Sequence, residues 1–476
     1  MIRRSYPLII GILLLADAPV KAADASSPDI QTLSRRIDEL NKRLLELELQ
    51  KSSAAASSAA PQTAKPAPFD FADFTWLNGN SREKSSPFNI PYFTPEILVD
   101  ANYVQDFNNP KDHTLDGSCE TGRTNEIQLQ QFGVGGDLNV DNVRARLMTQ
   151  FGMYSTMTPR NDASPSRGQW DMADAYRYLS EANGGYHFDV GNGINVDAGI
   201  FMSYVGLFSY YNSENWAYQP SYVSANTPWF FNGIRIQTFP TLRWKSEFWL
   251  VNGWQSYGMF NETPGLGTQQ LWRPNGSVSV LSNDYWGYDT PGEPAQQRYH
   301  TDDSIEVKYY DEPKNPIDKA AFSLTMDAGC QSGDGAGCHD DSFLGFMLYN
   351  RLWFDNDHYG LTMGGGGITN PGRYLVLLPP INGATATSGT SYFTTNPGDS
   401  FKAWDASVTF DYMPNQYLTW RVEFDHRAAN VPYFVGPGGI TPPGGNTGDP
   451  GSTVAGWAPD LARSENRINL ALLIHI

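Results

Sequence analysis

The sequence predicts an all-β protein: a transmembrane antiparallel up-and-down β-barrel of about sixteen strands, preceded by a short N-terminal coiled-coil helix. Two observations carry this prediction. Many segments alternate apolar and polar residues with a period of two, which is the period of a β-strand. The connections between these segments are short and long in strict alternation, as in outer-membrane barrels with tight turns on one side and longer loops on the other.

The clearest alternation lies between Phe401 and Arg427 and predicts a hairpin. Its apolar positions are Trp404, Ala406, Val408, Phe410 and Tyr412 in the first strand and Leu418, Trp420, Val422 and Phe424 in the second. The intervening positions carry Asp, Ser, Thr, Arg and Glu. Each run has about ten residues, enough to cross ~25 Å of hydrocarbon when the strand is tilted. We therefore expect the apolar face of the hairpin to contact lipid.

The same pattern recurs along the chain and gives sixteen candidate strands. They are 97–107, 125–138, 143–154, 174–188, 194–202, 233–239, 242–252, 267–273, 277–285, 300–310, 319–328, 342–354, 358–368, 401–412, 417–428 and 464–476. The weakest are the pair around Pro274 and the strand with the glycine run 364–367, and the loss of either would leave fourteen strands. The last strand is expected to pair with the first and close the barrel. A soluble β-sandwich also alternates apolar and polar residues, but the run lengths and the two classes of loop favour the membrane barrel.

We place the barrel at residues 95–476, and the sequence before it indicates four segments. Residues 1–22 form a secretory signal peptide, with Arg3 and Arg4 before a short apolar core and Ala22 at the cleavage site. Residues 23–50 form a coiled-coil helix, residues 51–68 an Ala/Ser/Pro-rich linker, and residues 69–94 a periplasmic lead-in or plug. An uncleaved anchor helix is the alternative for the first segment, but its apolar core is too short to span a membrane.

A heptad pattern in the coiled-coil segment predicts a homo-oligomer. Its core positions are Ile30, Leu33, Ile37, Leu40, Leu44 and Leu47. The alternative is a single helix that rests on another part of the protein. The pattern leaves the number of copies open.

The charge and cysteine content narrow the class of partner and cofactor. The net charge of -18 argues against binding to nucleic acid. Cys330 and Cys338 bracket a short polar loop that a disulfide could close in an oxidising compartment. A metal site with His339, Asp340 and Asp341 is the alternative, but the paired Cys/His spacing of structural zinc is missing. We therefore expect no metal and no cofactor, and Cys119 has no evident partner.

The polar face of the strands is expected to line a passage, because a sixteen-stranded barrel is too wide for side chains to fill. The pore-lining candidates are Arg144, Arg146, Arg177, Glu181, Arg243, Lys245, Glu247, Glu306, Lys308, Arg351, Asp405, Arg421, Glu423, Asp425 and Arg427. Opposed acidic and basic walls would set ion preference. The alternative is that these charges only pair across strands.

Two connections could narrow such a passage. Residues 203–232 contain seven Tyr and Trp residues, which could stack on sugars inside a pore or form the core of the loop itself. Residues 436–448 read GPGGITPPGGNTG and could fold inward as a constriction.

Four stretches resemble the OmpL-like β-barrel porin family of Gram-negative outer membranes. They are FTWLNGNSR at 74–82, RLMTQFGMYSTMTPRNDASPSRGQW at 146–170, NWAYQPSYVSANTPWFFNG at 215–233 and DYMPNQYLTWRVEFDHRAANVPYF at 411–434. The similarity runs from about Phe71 to the C-terminus. It implies a pore in the outer membrane and supplies no catalytic motif. One departure is Ile476, where such barrels often end on an aromatic residue.

We therefore expect an outer-membrane channel for passive diffusion of small hydrophilic solutes or ions, with the long loops outside the cell and the N-terminal helix in the periplasm. A plugged barrel that acts as an adhesin, receptor or envelope anchor is the alternative. An outer-membrane enzyme is the third hypothesis, and no histidine stands in a catalytic or metal-binding spacing that would favour it.

Overall fold

The computed structural model describes residues 66–88, 90–115, 117–118, 121–159, 162, 164, 168–259, 261–290, 293–371, 400–439 and 460–476, together with residues 35, 39, 42 and 43. The chain divides into two compact units, Met1–Lys65 and Pro66–Ile476. The predicted signal peptide and the heptad residues Ile30, Leu33, Ile37, Leu40, Leu44 and Leu47 lie outside the described residues, as does Cys119.

The second unit is built around sixteen antiparallel strands in one closed barrel. Their bounds are β1 Phe93–Asp106, β2 Ile127–Val140, β3 Val143–Thr149, β4 Leu179–Phe188, β5 Ile194–Met202, β6 Phe230–Thr241, β7 Trp244–Val251, β8 Gly265–Asn275, β9 Val278–Gly287, β10 Gln297–Asp311, β11 Ile317–Ser332, β12 Ser342–Phe354, β13 Tyr359–Asn370, β14 Phe401–Asn415, β15 Leu418–Ala429 and β16 Ser464–His475. Each strand pairs with the next along the chain, and β1 pairs with β16. The predicted fold is confirmed.

The closing seam joins the first and last strands in continuous register from Leu98 opposite His475 to Asp106 opposite Arg467. At its end, Ile97 and Ile476 exchange both backbone hydrogen bonds, at 2.9 and 3.0 Å. Closure leaves no strand edge unpaired, which is the condition for a sheet to lie in a membrane.

The predicted faces of the strands are also confirmed. Along β14, Trp404, Val408 and Phe410 are exposed on the outside, whereas the intervening Asp405 and Asp411 are buried on the inside. Strand β15 has the same alternation, with exposed Trp420, Val422 and Phe424 and buried Arg421 and Glu423. The outer surface of this hairpin is therefore apolar and its inner surface charged.

The two ends of the barrel differ. Tight turns and both chain ends of the barrel lie at one end, which we call the short-turn end, and the long connections lie at the other, the long-loop end. In the described part of the connections lie the short helices α1 Tyr154–Met157, α2 Met172–Tyr176 and α3 Tyr222–Ala225 and a 3₁₀ turn at Asn212–Glu214. Another 3₁₀ turn, Thr75–Leu77, precedes β1. Among the described helices, none has the length and apolar character of a membrane span.

Two strand predictions are wrong in part. The segment 143–154 is a strand only as far as Thr149, and α1 begins at Tyr154. The segment 174–188 was expected to be a strand throughout, but its first residues belong to α2 and the strand starts at Leu179. The carboxylate of Asp171 accepts the backbone N–H of Asp174 at 2.9 Å and caps the helix. An Asp in this position favours a helix start over a strand. The two weakest predictions, the strands around Pro274 and the glycine run of β13, are both strands.

Candidate functional site

The lumen is crossed by the connection between β5 and β6, residues 203–229, which we call the inner loop. Most of its residues are buried. Near its start, the Tyr204 ring stacks on Phe231 and Trp249, and its hydroxyl donates to the Asp284 carbonyl of β9 at 2.9 Å. Farther on, the Tyr210 hydroxyl donates to the Gln150 side chain at 2.7 Å. The loop is thus held at several points of the barrel wall.

The aromatic residues of the inner loop serve packing. The seven that the sequence singled out are Tyr204, Tyr210, Tyr211, Trp216, Tyr218, Tyr222 and Trp229, and all are buried. Rings enclosed by the wall have no open face for a sugar, so the structure favours the interpretation that they form the core of the loop.

The strongest anchor of the inner loop is Arg421 on β15. Its guanidinium forms a bidentate pair with Asp411 on β14, with distances of 2.7 Å and 3.0 Å. It also donates to the inner-loop carbonyls of Asn212, Asn215 and Ala217 at 2.7–3.1 Å. Five donated bonds match the donor capacity of a guanidinium, so this buried charge is fully satisfied.

Two lumen carboxylates hold the backbone of the same loop. Glu423 accepts the backbone N–H groups of Tyr218 and Gln219 at 2.6 and 2.7 Å. Asp405 accepts the hydroxyl of Ser221 at 2.8 Å and the N–H of Tyr222 at 3.0 Å. Ser221 and Tyr222 lie at the start of α3, where N–H groups that have no partner within the helix favour a negative charge.

The glycine run of β13 lets the inner loop approach the wall. A Cβ on Gly366 would lie 2.6 Å from the Ser221 hydroxyl oxygen, and one on Gly364 would lie 2.2 Å from the Tyr349 ring. Since both distances are shorter than a van der Waals contact, side chains here would displace the ring and the loop. The glycines that weakened the strand prediction therefore have a packing role.

A second segment, residues 66–88, crosses the short-turn end, and we call it the lead-in segment. It contacts three of the tight turns: Phe69 N–H donates to Leu242, the Trp76 indole to Gly276 and the Asn80 amide to Asn415, at 2.8–3.1 Å. The lead-in segment lies beside a cavity of about 480 Å³. Cationic and acidic side chains both line this cavity, among them Arg82 and Asp318.

The lead-in segment and the inner loop meet inside the barrel. Gly79 N–H donates to the Glu214 carbonyl at 2.7 Å, and the Gly79 carbonyl accepts from Arg351 at 2.8 Å. Arg351 also pairs with Asp411 at 2.8 Å, so wall, loop and lead-in segment share one buried network. A Cβ on Gly79 would lie 2.3 Å from the Ser213 carbonyl oxygen, which leaves glycine as the residue that fits.

The start of the lead-in segment is organised by Asp73. Its carboxylate accepts the Thr75 N–H at 2.9 Å and pairs with Lys84 at 3.2 Å. Partial burial raises the pKa of Asp73, but the hydrogen bonds from Thr75 and the Lys84 charge outweigh it and lower the pKa to about 2. The carboxylate is therefore ionised throughout the physiological range.

The cationic side chains on the inner face of β3–β7 are more exposed than those on β12 and β15. Arg144 pairs with Asp197 at 3.1 Å, Arg235 pairs with the same carboxylate at 2.8 Å, and Lys245 pairs with Glu247 at 2.6 Å. The cationic side chains keep 18–32% of their surface exposed. Arg146 is also partly exposed and bridges Glu96 and Glu181 at 2.8 Å each. These cationic side chains are therefore less buried than Arg421 and Arg351.

The structure thus separates the predicted pore-lining residues into groups. Arg351, Asp405, Arg421, Glu423, Asp425 and Arg427 are buried on β12, β14 and β15. Arg144, Arg146, Glu181, Lys245 and Glu247 lie inside β3, β4 and β7, and Glu306 and Lys308 on the inner face of β10. Lys308 pairs with Asp311 at the short-turn end, at 2.5 Å.

Two of the predicted pore-lining residues lie outside the strands predicted for them. Arg177 follows α2 at the long-loop end, where it pairs with Asp174 at 3.0 Å. Arg243 lies in the turn between β6 and β7, where it donates to the Pro274 carbonyl at 2.9 Å and lies over the Phe71 ring. Both were assigned to strands because alternation was extended past the true strand ends, and strand boundaries are the least reliable part of a pattern-based prediction.

Sequence reasoning missed several residues of the buried network. Asp411 and Arg467 stand at inward positions of predicted strands, so alternation could have identified them. Asp100 on β1 accepts from the Tyr218 hydroxyl and the Asn212 amide at 2.9 Å each. Gly79 has no such signal, because its role depends on a contact with a distant loop.

The cysteine pair lies at the long-loop end of the β11–β12 hairpin. Cys330 and Cys338 are joined by a disulfide. Within the described residues, no group of three or more His, Cys, Asp or Glu residues has the geometry to hold a metal ion.

A family model described as "Putative beta-barrel porin-2, OmpL-like" matches residues 93–448. Among solved structures, the chain is similar to the outer membrane channel DcaP of Acinetobacter baumannii, at 10% identity and a TM-score of 0.45, over 82% of this chain and 100% of that one. It is also similar to an anion-selective porin from Comamonas acidovorans, at 9% identity and 0.46, over 81% and 99%. OprB of Pseudomonas putida matches at 12% identity and 0.46, over 81% and 94%. No curated protein matches the chain.

Proposed function

Because the chain belongs to the OmpL-like β-barrel porin family, we propose that its solutes pass along the β3–β7 wall and that the inner loop forms the constriction. The chain is an outer-membrane β-barrel porin of the Gram-negative type, with its apolar outer bands against lipid. We infer in addition the route of the solutes, the narrow part of the channel and the orientation of the barrel in the membrane.

What supports this route is the unequal exposure of the lumen arginines. Arg421 and Arg427 expose none of their side-chain surface, whereas Arg144 exposes 32% and Arg146 22%. A charge in contact with water can attract or repel a passing ion closely, while a charge that is buried in the protein acts only at a distance. Hydrophilic solutes and small ions are the substrates that such a mixed-charge, non-stacking wall favours.

The orientation follows from the two ends of the barrel. Tight turns of outer-membrane barrels face the periplasm and long loops face the outside. We therefore place the short-turn end and the lead-in segment in the periplasm, and the Cys330–Cys338 hairpin outside the cell. In this assignment residues 1–22 are a signal peptide, 23–50 a coiled-coil helix that joins copies of the chain, 51–68 a linker, 69–94 a lead-in or plug and 95–476 the barrel.

A closed barrel that serves as an adhesin, receptor or anchor is a second candidate. The burial of the inner loop and the position of the lead-in segment across the short-turn end favour it. Neither candidate requires a cofactor or a catalytic residue, and we propose that the chain is not an enzyme.

Reconstitution of the purified full chain in planar lipid bilayers separates the two candidates. Discrete conductance steps in KCl, together with swelling of proteoliposomes in small sugars, are expected for the diffusion channel. A barrel that is folded, as judged by its heat-dependent mobility in gels, and yet gives neither steps nor swelling would contradict the channel and favour the closed barrel.

A further inference from the structure

A band of polar side chains interrupts the apolar outer surface on β6–β10. Register partners form one row across these five strands: Thr238, Ser246, Gln270, Ser282 and Asp303. A second row contains Thr268, Asp284 and Thr301. We call these eight residues the outer polar patch.

The patch faces outward, as the burial of its neighbours shows. Asp303 is exposed between buried Asp302 and Ser304, and Asp284 is exposed between buried Asn283 and Tyr285. Because side chains alternate along a strand, both carboxylates point away from the lumen.

The patch also lies within the membrane-spanning band. On β10, exposed Tyr299 and Tyr309 stand on the same outer face, four and six residues from Asp303. At ~3.3 Å per residue, Asp303 is roughly 13 Å and 20 Å along the strand from these rings. Aromatic residues of this kind mark the two membrane interfaces, so the carboxylate lies at the depth of lipid tails.

Hydrogen bonds inside the patch reach one oxygen of each carboxyl group. The Thr268 hydroxyl donates to Asp284 at 3.1 Å, and the Thr301 hydroxyl donates to Asp303 at 3.3 Å. Hydrocarbon supplies neither water nor a protein donor to the other oxygen, and a buried polar group without such a partner is costly. A surface of this composition is more stable against protein than against lipid.

The opposite wall has no comparable patch at this depth. The outward residues of β15 and β16 include Trp420, Val422, Phe424, Leu470 and Leu472, all apolar. The first polar pair toward the long-loop end, His426 and Asn466, is hydrogen-bonded internally at 2.8 Å. The contrast indicates that β6–β10 and β14–β16 face different surroundings.

We propose that the outer polar patch is the surface by which one copy of this chain packs against a second copy within the outer membrane. The patch contains hydroxyl and amide donors beside carboxylate acceptors, so two copies can satisfy each other. The adjoining groove of about 740 Å³, lined by Leu266, Trp286 and Tyr299 among others, offers room for side chains of the neighbour. The inference depends on the barrel lying in the membrane and not on whether it conducts.

The five-strand face that carries the patch is large enough for such an interface. Five strands at ~4.8 Å across a band of ~25 Å cover roughly 600 Å², close to the ~800 Å² that each partner contributes to a stable interface. A water-soluble partner has no access to this depth of the bilayer, which leaves proteins of the same membrane. The predicted heptad seam at residues 30–47 would keep copies of this chain together.

Photo-crosslinking in the membrane tests the interface. The full chain is produced with p-benzoylphenylalanine in place of Ser282 and, as the matched control, in place of Val422, which is also outward-facing. Heat-dependent gel mobility verifies that each barrel is folded. Thr301 and Phe424 form a second pair of positions if either first variant does not fold.

Irradiation should give a product of twice the monomer mass from the Ser282 position and none from Val422, with mass spectrometry showing this chain as both partners. No product from Ser282 or Thr301 would overturn the proposal, and so would equal products from both walls. A product that joins the patch to a different protein would also overturn it, because it would identify another occupant.

Discussion

Arg421 and Asp411 lie opposite each other on β15 and β14 and form a bidentate ion pair, with distances of 2.7 and 3.0 Å and no exposed surface. The same guanidinium binds three carbonyls of the inner loop. Wall and loop are therefore one unit, and changes at this pair should affect stability and conduction together.

Arg421→Met should destabilise the barrel strongly. The substitution leaves Asp411 paired with Arg351 and removes one donor from each of three buried carbonyls. The loss of one member of a buried pair costs about 3–5 kcal/mol. Arg144→Met is the matched control, because Arg144 is one-third exposed and its buried partner Asp197 keeps a second pair, with Arg235 at 2.8 Å, so a smaller loss is expected. Denaturant unfolding in detergent or lipid measures the free energy of unfolding of both variants. Equal losses of stability would contradict the anchoring role of Arg421.

Glu423→Gln should loosen the inner loop and raise the channel conductance. The Gln side chain has one carbonyl oxygen, which can accept only one of the Tyr218 and Gln219 N–H groups, and its NH₂ group would face the other. A buried donor without an acceptor lowers stability by about 1–3 kcal/mol. Asp425→Asn is the control, since it removes the same charge from the same buried face of the strand. We expect larger or noisier single-channel currents for the Glu423 variant alone. Identical currents for the two variants would show that the loop does not narrow the path.

Replacing Arg144 and Lys245 by Glu should shift the channel towards cation selectivity. Both side chains are exposed to water on the proposed route. A change of about 1 kT in the lumen potential alters the cation-to-anion ratio roughly sevenfold. Reversal potentials across a KCl gradient provide the measurement, with Lys314→Glu in the β10–β11 turn as the control. An unchanged reversal potential would place the conduit elsewhere.

Gly79→Ala should release the lead-in segment from the inner loop. The new Cβ would lie 2.3 Å from the Ser213 carbonyl oxygen, whereas a Cβ on Gly337 meets nothing within 4 Å, so Gly337→Ala is the control. Hydrogen exchange of amides in residues 66–88 should become faster in the Gly79 variant only. Unchanged exchange would mean that the contact does not hold the segment in place.

The stability contributed by Asp73 should be lost at acidic pH. Its folded pKa of about 2 is below the ordinary value of 3.8, so the ionised form stabilises the fold above pH 3.8, and this contribution disappears as the pH falls from about 4 to 2. Compared with Asp73→Asn, the unchanged chain should show slower amide exchange in the lead-in segment at pH 5. The two should become equal near pH 2. A difference that stays constant across this range would exclude the carboxylate charge as the cause.

The sequence alone determined the barrel and the face of each strand residue. Alternation is a local property, because successive side chains of a strand point to opposite sides, so Trp420 and Arg421 could be assigned to lipid and lumen without any contact information. Strand number followed from the same pattern together with the loop lengths. Errors arose where alternation was extended beyond strand ends, as at Arg177 and Arg243.

Only the tertiary structure decided which lumen charges meet water. Arg144 and Arg421 both occupy inward positions of strands. Arg144 is partly exposed, whereas Arg421 is enclosed by a loop more than 200 residues away in the chain. The path of that loop depends on Gly79, Gly366 and buried hydrogen-bond partners from many strands, among them Asp100 on β1 and Asp405 on β14. Such long-range packing leaves no periodic mark in the sequence.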